Sequence, residues 1–96
     1  MKHLTKLLEK KALHHGGAVV DFIEPVDQHC PMSVNFGVVL CRIHGYREYV
    51  TWKYAIRENS KKELILECHH GHYHQTLYDA VQDYLKRVDE TRKEVA

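Results

Sequence analysis

The chain has 96 residues and a formal net charge of +1 at pH 7, with its nine histidines counted as neutral. Its length predicts one small domain over residues 1–96, and its 44% hydrophobic content excludes a disordered chain. No apolar run reaches the roughly 18 residues of a membrane span, and nearly balanced charges, 14 Lys+Arg against 13 Asp+Glu, disfavour nucleic acid as a partner.

Three cysteines, Cys30, Cys41 and Cys68, lie far apart in the chain. An odd number cannot all pair within one chain, and three are too few for the disulfide framework of a small secreted domain. No charged-then-apolar leader opens the sequence. These features predict free thiols and a cytoplasmic location.

The first predicted element is a helix over residues 3–15. Leu4, Leu7 and Leu8 fall on one stripe, and lysines occupy much of the remaining surface. The Gly-Gly pair at 16–17 supplies the left-handed residue that ends many helices.

Four strands follow, predicted at residues 18–24, 34–43, 46–57 and 63–69. The first ends at a proline, and a loop over residues 26–33 leads to the second. The second strand is apolar on both faces, which is typical of a central strand, and the later strands alternate. Since short polar turns separate the last three strands, the sequence predicts an antiparallel meander.

The last predicted element is an amphipathic helix that begins at Thr76, whose hydroxyl is expected to cap the free amides of the first turn. Apolar residues recur at helical spacing, at Leu77, Val81, Tyr84, Leu85 and Val88. Asp79 and Asp83 lie one turn apart, and we expect them in water opposite that stripe.

The element order is therefore α-β-β-β-β-α, an α+β fold with a four-stranded antiparallel sheet. Two arrangements of the helices remain open. With both on one face, the core would contain Val50, Trp52, Leu64, Leu66, Leu77, Val81 and Leu85. With one helix on each face, no sheet face would be left bare.

The histidine-rich segment at residues 69–74 is the densest group of polar residues that bind metals. Alternate residues of an extended segment share a face, so His70, His72 and His74 are candidate ligands for zinc, nickel or copper. The loop residues His29, Cys30 and Met32 would complete the shell if the fold brought them near. The alternative is a polar strand-to-helix connection with a turn at Gly71 and solvated histidines.

Catalytic motifs are missing from the sequence, which has no Gly-rich phosphate loop, nucleophile elbow or dinucleotide fingerprint. Cys30 stands beside His29, an arrangement that activates a thiol only where the fold also supplies a base and a cleft. The alternative is that Cys30 is not reactive and belongs to a loop whose conformation is restricted by Pro25 and Pro31. We therefore predict a protein that is not an enzyme and needs no cofactor.

A protein partner is the leading functional hypothesis. Tyrosine is large, rigid and amphipathic and is enriched in contact surfaces. The candidate contacts are Tyr49, Lys53, His72 and Tyr73, on the sheet face and the strand-to-helix turn. If both helices lay on one side, the other face of the sheet would be covered by a homodimer or by docking onto a larger protein.

Several short motifs lie in one stretch of the chain, about residues 46–88. They are Tyr49-Val50-Thr51-Trp52, then Gly71-His72-Tyr73, then Leu77, Ala80, Asp83-Tyr84 and Arg87. This pattern resembles small uncharacterised proteins of bacteriophages and prophages, although His74 stands where those proteins commonly have an aromatic residue. The resemblance implies a phage-encoded modulator of a host protein, for example an inhibitor of a defence nuclease, and transfers no catalytic residue.

Overall fold

The computed structural model describes residues 2–24, 35–44 and 48–93. The predicted order α-β-β-β-β-α is confirmed. Its elements are α1 (Lys2–His14), β1 (Gly17–Phe22), β2 (Asn35–Ile43), β3 (Tyr49–Glu58), β4 (Leu64–His74) and α2 (Leu77–Lys93). No helix in these described ranges is long and apolar enough to cross a membrane.

All four strands form one antiparallel sheet in the order β1-β2-β3-β4. The meander predicted from the short polar turns is confirmed. In the turn between β3 and β4, the side-chain oxygen of Asn59 accepts hydrogen bonds from the backbone N–H groups of Lys61 and Glu63, each 2.9 Å long. Such a side-chain acceptor fixes the turn locally.

The histidine-rich segment belongs to a strand. β4 runs to His74, five residues beyond the predicted end of the strand at His69. A bulge sets two residues, His70 and Gly71, opposite Trp52, and His70 has a positive φ of 52°. A Cβ on Gly71 would lie 2.8 Å from the indole nitrogen of Trp52, so glycine allows the close approach of that ring. The predicted turn at Gly71 was therefore wrong.

α1 covers one face of the sheet. Its buried stripe, Leu4, Leu8 and Ala12, packs on side chains that point to this face from the two central strands. Those residues are Val39 and Cys41 of β2 with Val50, Trp52, Tyr54 and Ile56 of β3. The helix ends as predicted, since Gly16 has a φ of +78° and its N–H donates to the carbonyl of Leu13.

α2 covers the opposite face, so the arrangement with both helices on one face was wrong and that with one helix on each face is found. Its buried residues are Ala80, Tyr84, Val88 and Thr91, and the first three pack on Val38 and Leu40 of β2. Two members of the predicted stripe, Leu77 and Leu85, are instead 45% and 55% exposed. The predicted Thr76 cap is confirmed, because its hydroxyl accepts the Asp79 backbone N–H at 3.2 Å.

The loop that carries His29, Cys30 and Met32 lies outside the described residues, so their predicted part in a metal site or a thiol site is not placed. The reversal expected at His44-Gly45 also cannot be placed, because residues 45–47 lie outside the described ranges. A hydrogen bond joins the two segments that flank these residues, since the N–H of Ile43 donates to the carbonyl of Glu48 at 2.6 Å.

Candidate functional site

The four predicted contact residues do not form one surface. Tyr49, Lys53 and His72 lie on the α2 side of the sheet, because His72 pairs with Thr51 in the β3–β4 register. Tyr73 pairs with Val50 and lies on the α1 side, where it is 43% exposed. Strand alternation therefore places three of the predicted contacts together and separates the fourth.

The expected bare sheet face is not present among the residues that the structure describes. Val39 and Cys41 are buried under α1, and Thr51 is fully buried on the α2 side. Tyr49 is partly buried and packs on the α2 cluster. Both faces of the central strands are therefore covered by a helix in the part of the chain that the structure describes.

Lys53 and His72 line the same polar cleft between the sheet and α2. Its volume is about 230 Å³, and its walls are Lys53, His72, Asp83, Lys86, Arg87, Glu90 and Thr91. Lys53 also places its ammonium 5.7 Å from the centre of the Phe36 ring. The sequence thus identified two residues of this cleft but none of those on α2.

Asp83 is the centre of a hydrogen-bond network below this cleft, which we call the Asp83 network: Thr51, His72, His74, Asp83 and Arg87. The Thr51 hydroxyl donates to Oδ2 of Asp83 at 2.5 Å. His72 Nδ1 lies 3.0 Å and His74 Nε2 lies 3.2 Å from the same oxygen. The expectation that Asp83 is solvated opposite the apolar stripe was wrong.

Arg87 completes the Asp83 network from the next turn of α2. Its Nη1 donates to the carbonyl and the hydroxyl of Thr51, at 2.9 and 3.2 Å, and its Nη2 donates to the carbonyl of His70. The same Nη2 lies 3.4 Å from Nε2 of His72. Because the bulge turns the His70 carbonyl toward α2, the guanidinium ties the bulged strand to the helix.

The ionisation of the Asp83 network follows from these contacts. Burial opposes the charge on Asp83, but hydrogen bonds from Thr51, His74 and His72 outweigh it and hold the pKa of this carboxyl below its ordinary value. Burial lowers the pKa of Arg87, while the neighbouring charge of Asp83 counteracts the shift. An arginine remains charged in spite of such a shift, so the network contains a carboxylate next to a guanidinium.

The three candidate metal ligands do not converge. His72 and His74 both point at Asp83, whereas His70 lies at the bulge, with its ring 6.3 Å from that of His69. Both ring nitrogens of His72 have partners, Asp83 at Nδ1 and Arg87 at Nε2. Within residues 2–24, 35–44 and 48–93, no group of three or more His, Cys, Asp or Glu side chains has an arrangement that would hold a metal ion.

Two of the cysteines are structural. Cys41 is buried and Cys68 partly buried, and both thiols are free. Burial raises the pKa of Cys41 to about 12 and that of Cys68 to about 11. A thiol with such a pKa has very little of the reactive thiolate at neutral pH.

A second surface lies on the other side of the sheet, between α1 and β4. Two adjoining pockets of about 370 and 430 Å³ share Leu7 and Lys10. Together they form the α1–β4 groove, with an apolar floor and a basic rim: Leu7, Leu13, Leu64, Leu66, Lys6, Lys10, Lys11, Lys62 and His14. Leu7, Leu64 and Leu66 are partly buried against the core, and Leu13 is 72% exposed.

The dimensions of the fold explain why this groove is open. Strands lie about 4.8 Å apart, so the outer strands of a four-stranded sheet are about 14 Å apart, whereas a helix is about 10 Å across. α1 lies over β1 and β2 and leaves the inward-facing side chains of β4, at the other edge of the sheet, partly covered. In the sequence, only the apolar residues at alternate positions of β4, which are Leu64, Leu66 and Cys68, pointed to this surface. The groove itself could not be predicted, because its width depends on where α1 packs.

Comparisons with known proteins add no relative. The chain matches no protein-family model, and no curated protein and no solved structure matches it either.

Proposed function

We propose that this protein is a non-enzymatic protein-binding module and that the α1–β4 groove is its docking surface. The observation that carries the proposal is one concave surface lined by leucines of two different elements, α1 and β4, in which Leu13 is exposed and the others are only partly buried. Apolar side chains in a concave surface are what a partner buries when it docks, and the apolar contact supplies most of the affinity.

The predicted contact Tyr73 lies on the same side of the sheet as the groove. It shares the face of β4 that also carries Leu64 and Leu66, since all three pair with residues of β3 whose side chains face α1 or continue that face. Its ring is 43% exposed, but it stands farther along β4 and lines neither pocket. Tyr49, Lys53 and His72 lie on the other side of the sheet and would belong to a second contact region, at the polar cleft.

Site-specific photocrosslinking tests this proposal in cells that make the protein. A photoreactive benzoylphenylalanine at position 13 places the probe in the groove, and the same probe at position 85 is the control. Both positions are exposed leucines on helices, 72% and 55% exposed, but the helices lie on opposite faces of the sheet. We expect a discrete crosslinked product from position 13 and none from position 85.

A further variant makes the result specific to the groove. Leu66→Thr removes apolar area from the floor of the groove and keeps a side chain that is common in strands. We expect this variant to reduce the crosslinked product from position 13 several-fold. A product that forms equally from position 85, or that is unchanged in Leu66→Thr, would contradict the proposal.

Metal binding through His70, His72 and His74 is the second candidate function. One observation favours it: His72 and His74 direct ring nitrogens to the same carboxylate, that of Asp83. Elemental analysis of untagged protein tests it. One zinc, nickel or copper ion per chain, lost in His72→Ala and His74→Ala, would support this function, and metal-free protein with no thermal shift on adding these ions would contradict it.

The narrower hypothesis of a phage-encoded modulator of a host protein, such as an inhibitor of a defence nuclease, rests on the sequence resemblance alone and stays a prediction. Identification of the product crosslinked at position 13 tests it directly. A host protein as the crosslinked partner would support it, and a second copy of this chain would instead make the groove a homodimer interface.

A further inference from the structure

We propose that the occupant of the α1–β4 groove is an amphipathic helix of a partner protein, with apolar anchors on one side and acidic residues beside them. This inference rests on the proposed function, because it names the kind of segment that the same groove binds. Its support comes from the charge of the rim, the shape of the groove and the direction in which the floor residues point.

The rim of the groove is positive. Lys6, Lys10 and Lys11 of α1 stand along one wall, and Lys62 stands at the turn that precedes β4. Among residues 2–24, 35–44 and 48–93, no acidic side chain lines either pocket. The acidic residue of α1, Glu9, lies three positions from Lys6 and four from Leu13, so it stands at the outer edge of the rim, but it lines neither pocket. Four lysines beside an apolar floor complement acidic groups in a ligand.

The shape of the groove favours a helix. Its α1 wall extends from Lys6 to His14, and the seven helical steps from Lys6 to Leu13 span about 10 Å at a rise of 1.5 Å per residue. Anchors at positions i and i+7 of a bound helix are the same distance apart, with a third anchor at i+3 or i+4 between them. Two antiparallel or parallel helices would then lie side by side on the sheet.

The direction of the floor residues excludes the other common mode of peptide binding. A bound strand would pair with the outer edge of β4 through backbone groups, and its side chains would not cover Leu64 and Leu66. Those leucines point out of the plane of the sheet, toward the α1 side. A helix on that face would bury them together with Leu7.

Peptide binding tests the inference with three synthetic probes of 18 residues. The acidic probe has leucines at helical spacing with glutamates flanking them, the basic probe has lysines in place of the glutamates, and the third has the acidic composition in scrambled order. Titration by fluorescence anisotropy at low salt is expected to give an affinity for the acidic probe at least about tenfold higher than for either control. The preference should shrink at high salt.

Charge-reversal variants locate the binding. The double variant Lys6→Glu/Lys10→Glu is expected to weaken binding of the acidic probe about tenfold or more and to improve binding of the basic probe. The control is Lys93→Glu, at a lysine near the end of α2 whose side chain is 74% exposed and lines neither pocket of the groove, for which we expect less than a twofold change. Amide NMR shifts should map to α1 and the first half of β4 with the acidic probe.

Each other outcome overturns the inference. Equal binding of the acidic and basic probes in the groove would show an apolar site that does not select for charge. That result would leave the proposed docking groove standing, because the groove is tested separately by the crosslinking experiment. Shifts confined to the outer backbone of β4 would indicate strand addition. Absence of binding by all probes, or stronger binding to vesicles that contain phosphatidylserine than to the acidic probe, would also refute an acidic helix as the ligand.

Discussion

Replacement of Asp83 by asparagine should cost the fold a large fraction of its stability. The asparagine keeps the shape of the side chain but removes the charge and turns one acceptor into a donor. In the native network, the hydroxyl of Thr51 and ring nitrogens of His72 and His74 all face one carboxylate oxygen. An amide that keeps its oxygen at that position is a neutral and therefore weaker acceptor for all three groups, and its NH2 group replaces the oxygen that lies 3.2 Å from His72 Nδ1.

The magnitude follows from the burial of each partner. Thr51 is 0% exposed, so weakening its bond to a charged acceptor costs about 1–3 kcal/mol. The His74 side chain is 21% exposed and that of His72 is 51% exposed. Because water can replace part of each of these two bonds, their loss together is expected to cost less than the loss of the Thr51 bond. We expect a loss of about 2 kcal/mol, compared with roughly 5–15 kcal/mol for the stability of a domain of this size.

Urea denaturation followed by circular dichroism measures this loss as a change in the free energy of unfolding. The matched control is Asp89→Asn, which removes a carboxylate from the same helix at an exposed pair with Lys93, 2.9 Å apart. A double variant with Thr51→Val isolates the central bond, with an expected coupling of about 1 kcal/mol between the two sites. If Asp83→Asn costs no more than Asp89→Asn, Asp83 does not hold α2 to the sheet.

Two further predictions concern buried groups of the core. Tyr54→Phe should destabilise the fold by about 1 kcal/mol, measured by thermal denaturation, because the buried hydroxyl donates to the carbonyl of Ile23 at 2.5 Å; an unchanged midpoint would contradict the role of this bond. Native Cys68, studied in a Cys30→Ser background, should react with iodoacetamide at pH 8 at roughly one hundredth the rate of an ordinary thiol. The reason is that its pKa is raised from 9.0 to about 11, which lowers the fraction of the reactive thiolate. Rates measured by mass spectrometry in urea provide the control, and a native rate equal to the unfolded rate would refute the burial argument.

The order of the elements was predictable because it depends on local patterns. The change from period-3.6 to period-2 hydrophobic spacing after residue 15 and the reverse change near Thr76 are both properties of a few neighbouring residues. The end of α1 at Gly16 and the cap at Thr76 are likewise local, since each depends on bonds within three residues. These predictions required no knowledge of what the elements pack against.

The buried side of α2 was only partly predictable from the same pattern, which correctly included Tyr84 and Val88 but also Leu77 and Leu85. The helix has two apolar rows, one with Leu77, Val81 and Leu85 and another with Ala80, Tyr84 and Val88. The longer aliphatic side chains belong to the first row, yet the second row is buried on β2. A small residue such as Ala80 lets the helix approach the sheet closely, and that advantage appears only when the opposing surface is known.

The candidate sites were only partly predictable for the same reason. Alternation along β3 placed Tyr49 and Lys53 on one face, but His72 was predicted in a turn beyond the fourth strand. Asp83 lies 32 residues from Thr51 in the sequence and looked like one more charge on a solvated helix. The α1–β4 groove depends on the lateral position of a helix over a sheet, which no short segment encodes. The helix-rotation error and the missed Asp83 network have one origin, because rotating α2 onto its Ala80 row also brings Asp83 over the sheet.

The pH dependence of stability gives an independent check on that rotation. Because the pKa of Asp83 is lowered in the folded state, the unfolded chain binds a proton at this site before the folded chain does, and stability falls as pH falls. The contribution is complete above the ordinary carboxyl pKa of about 3.9 and is lost as pH drops through the lower folded value. Imidazoles are in general protonated below about pH 5. Changes in stability between pH 5 and pH 3 therefore come from the protonation of carboxyl groups.

The measurement compares wild type and Asp83→Asn by urea denaturation at several pH values between 5 and 3. The other carboxylates titrate in both proteins, so the difference between the two stabilities reports on Asp83 alone. We expect this difference to be largest at pH 5 and to shrink steadily toward pH 3, as wild type loses the charge that the variant never had. Two curves that stay parallel throughout would mean that Asp83 titrates as an exposed carboxyl, and they would contradict the packing of α2 through Thr51, His72 and His74.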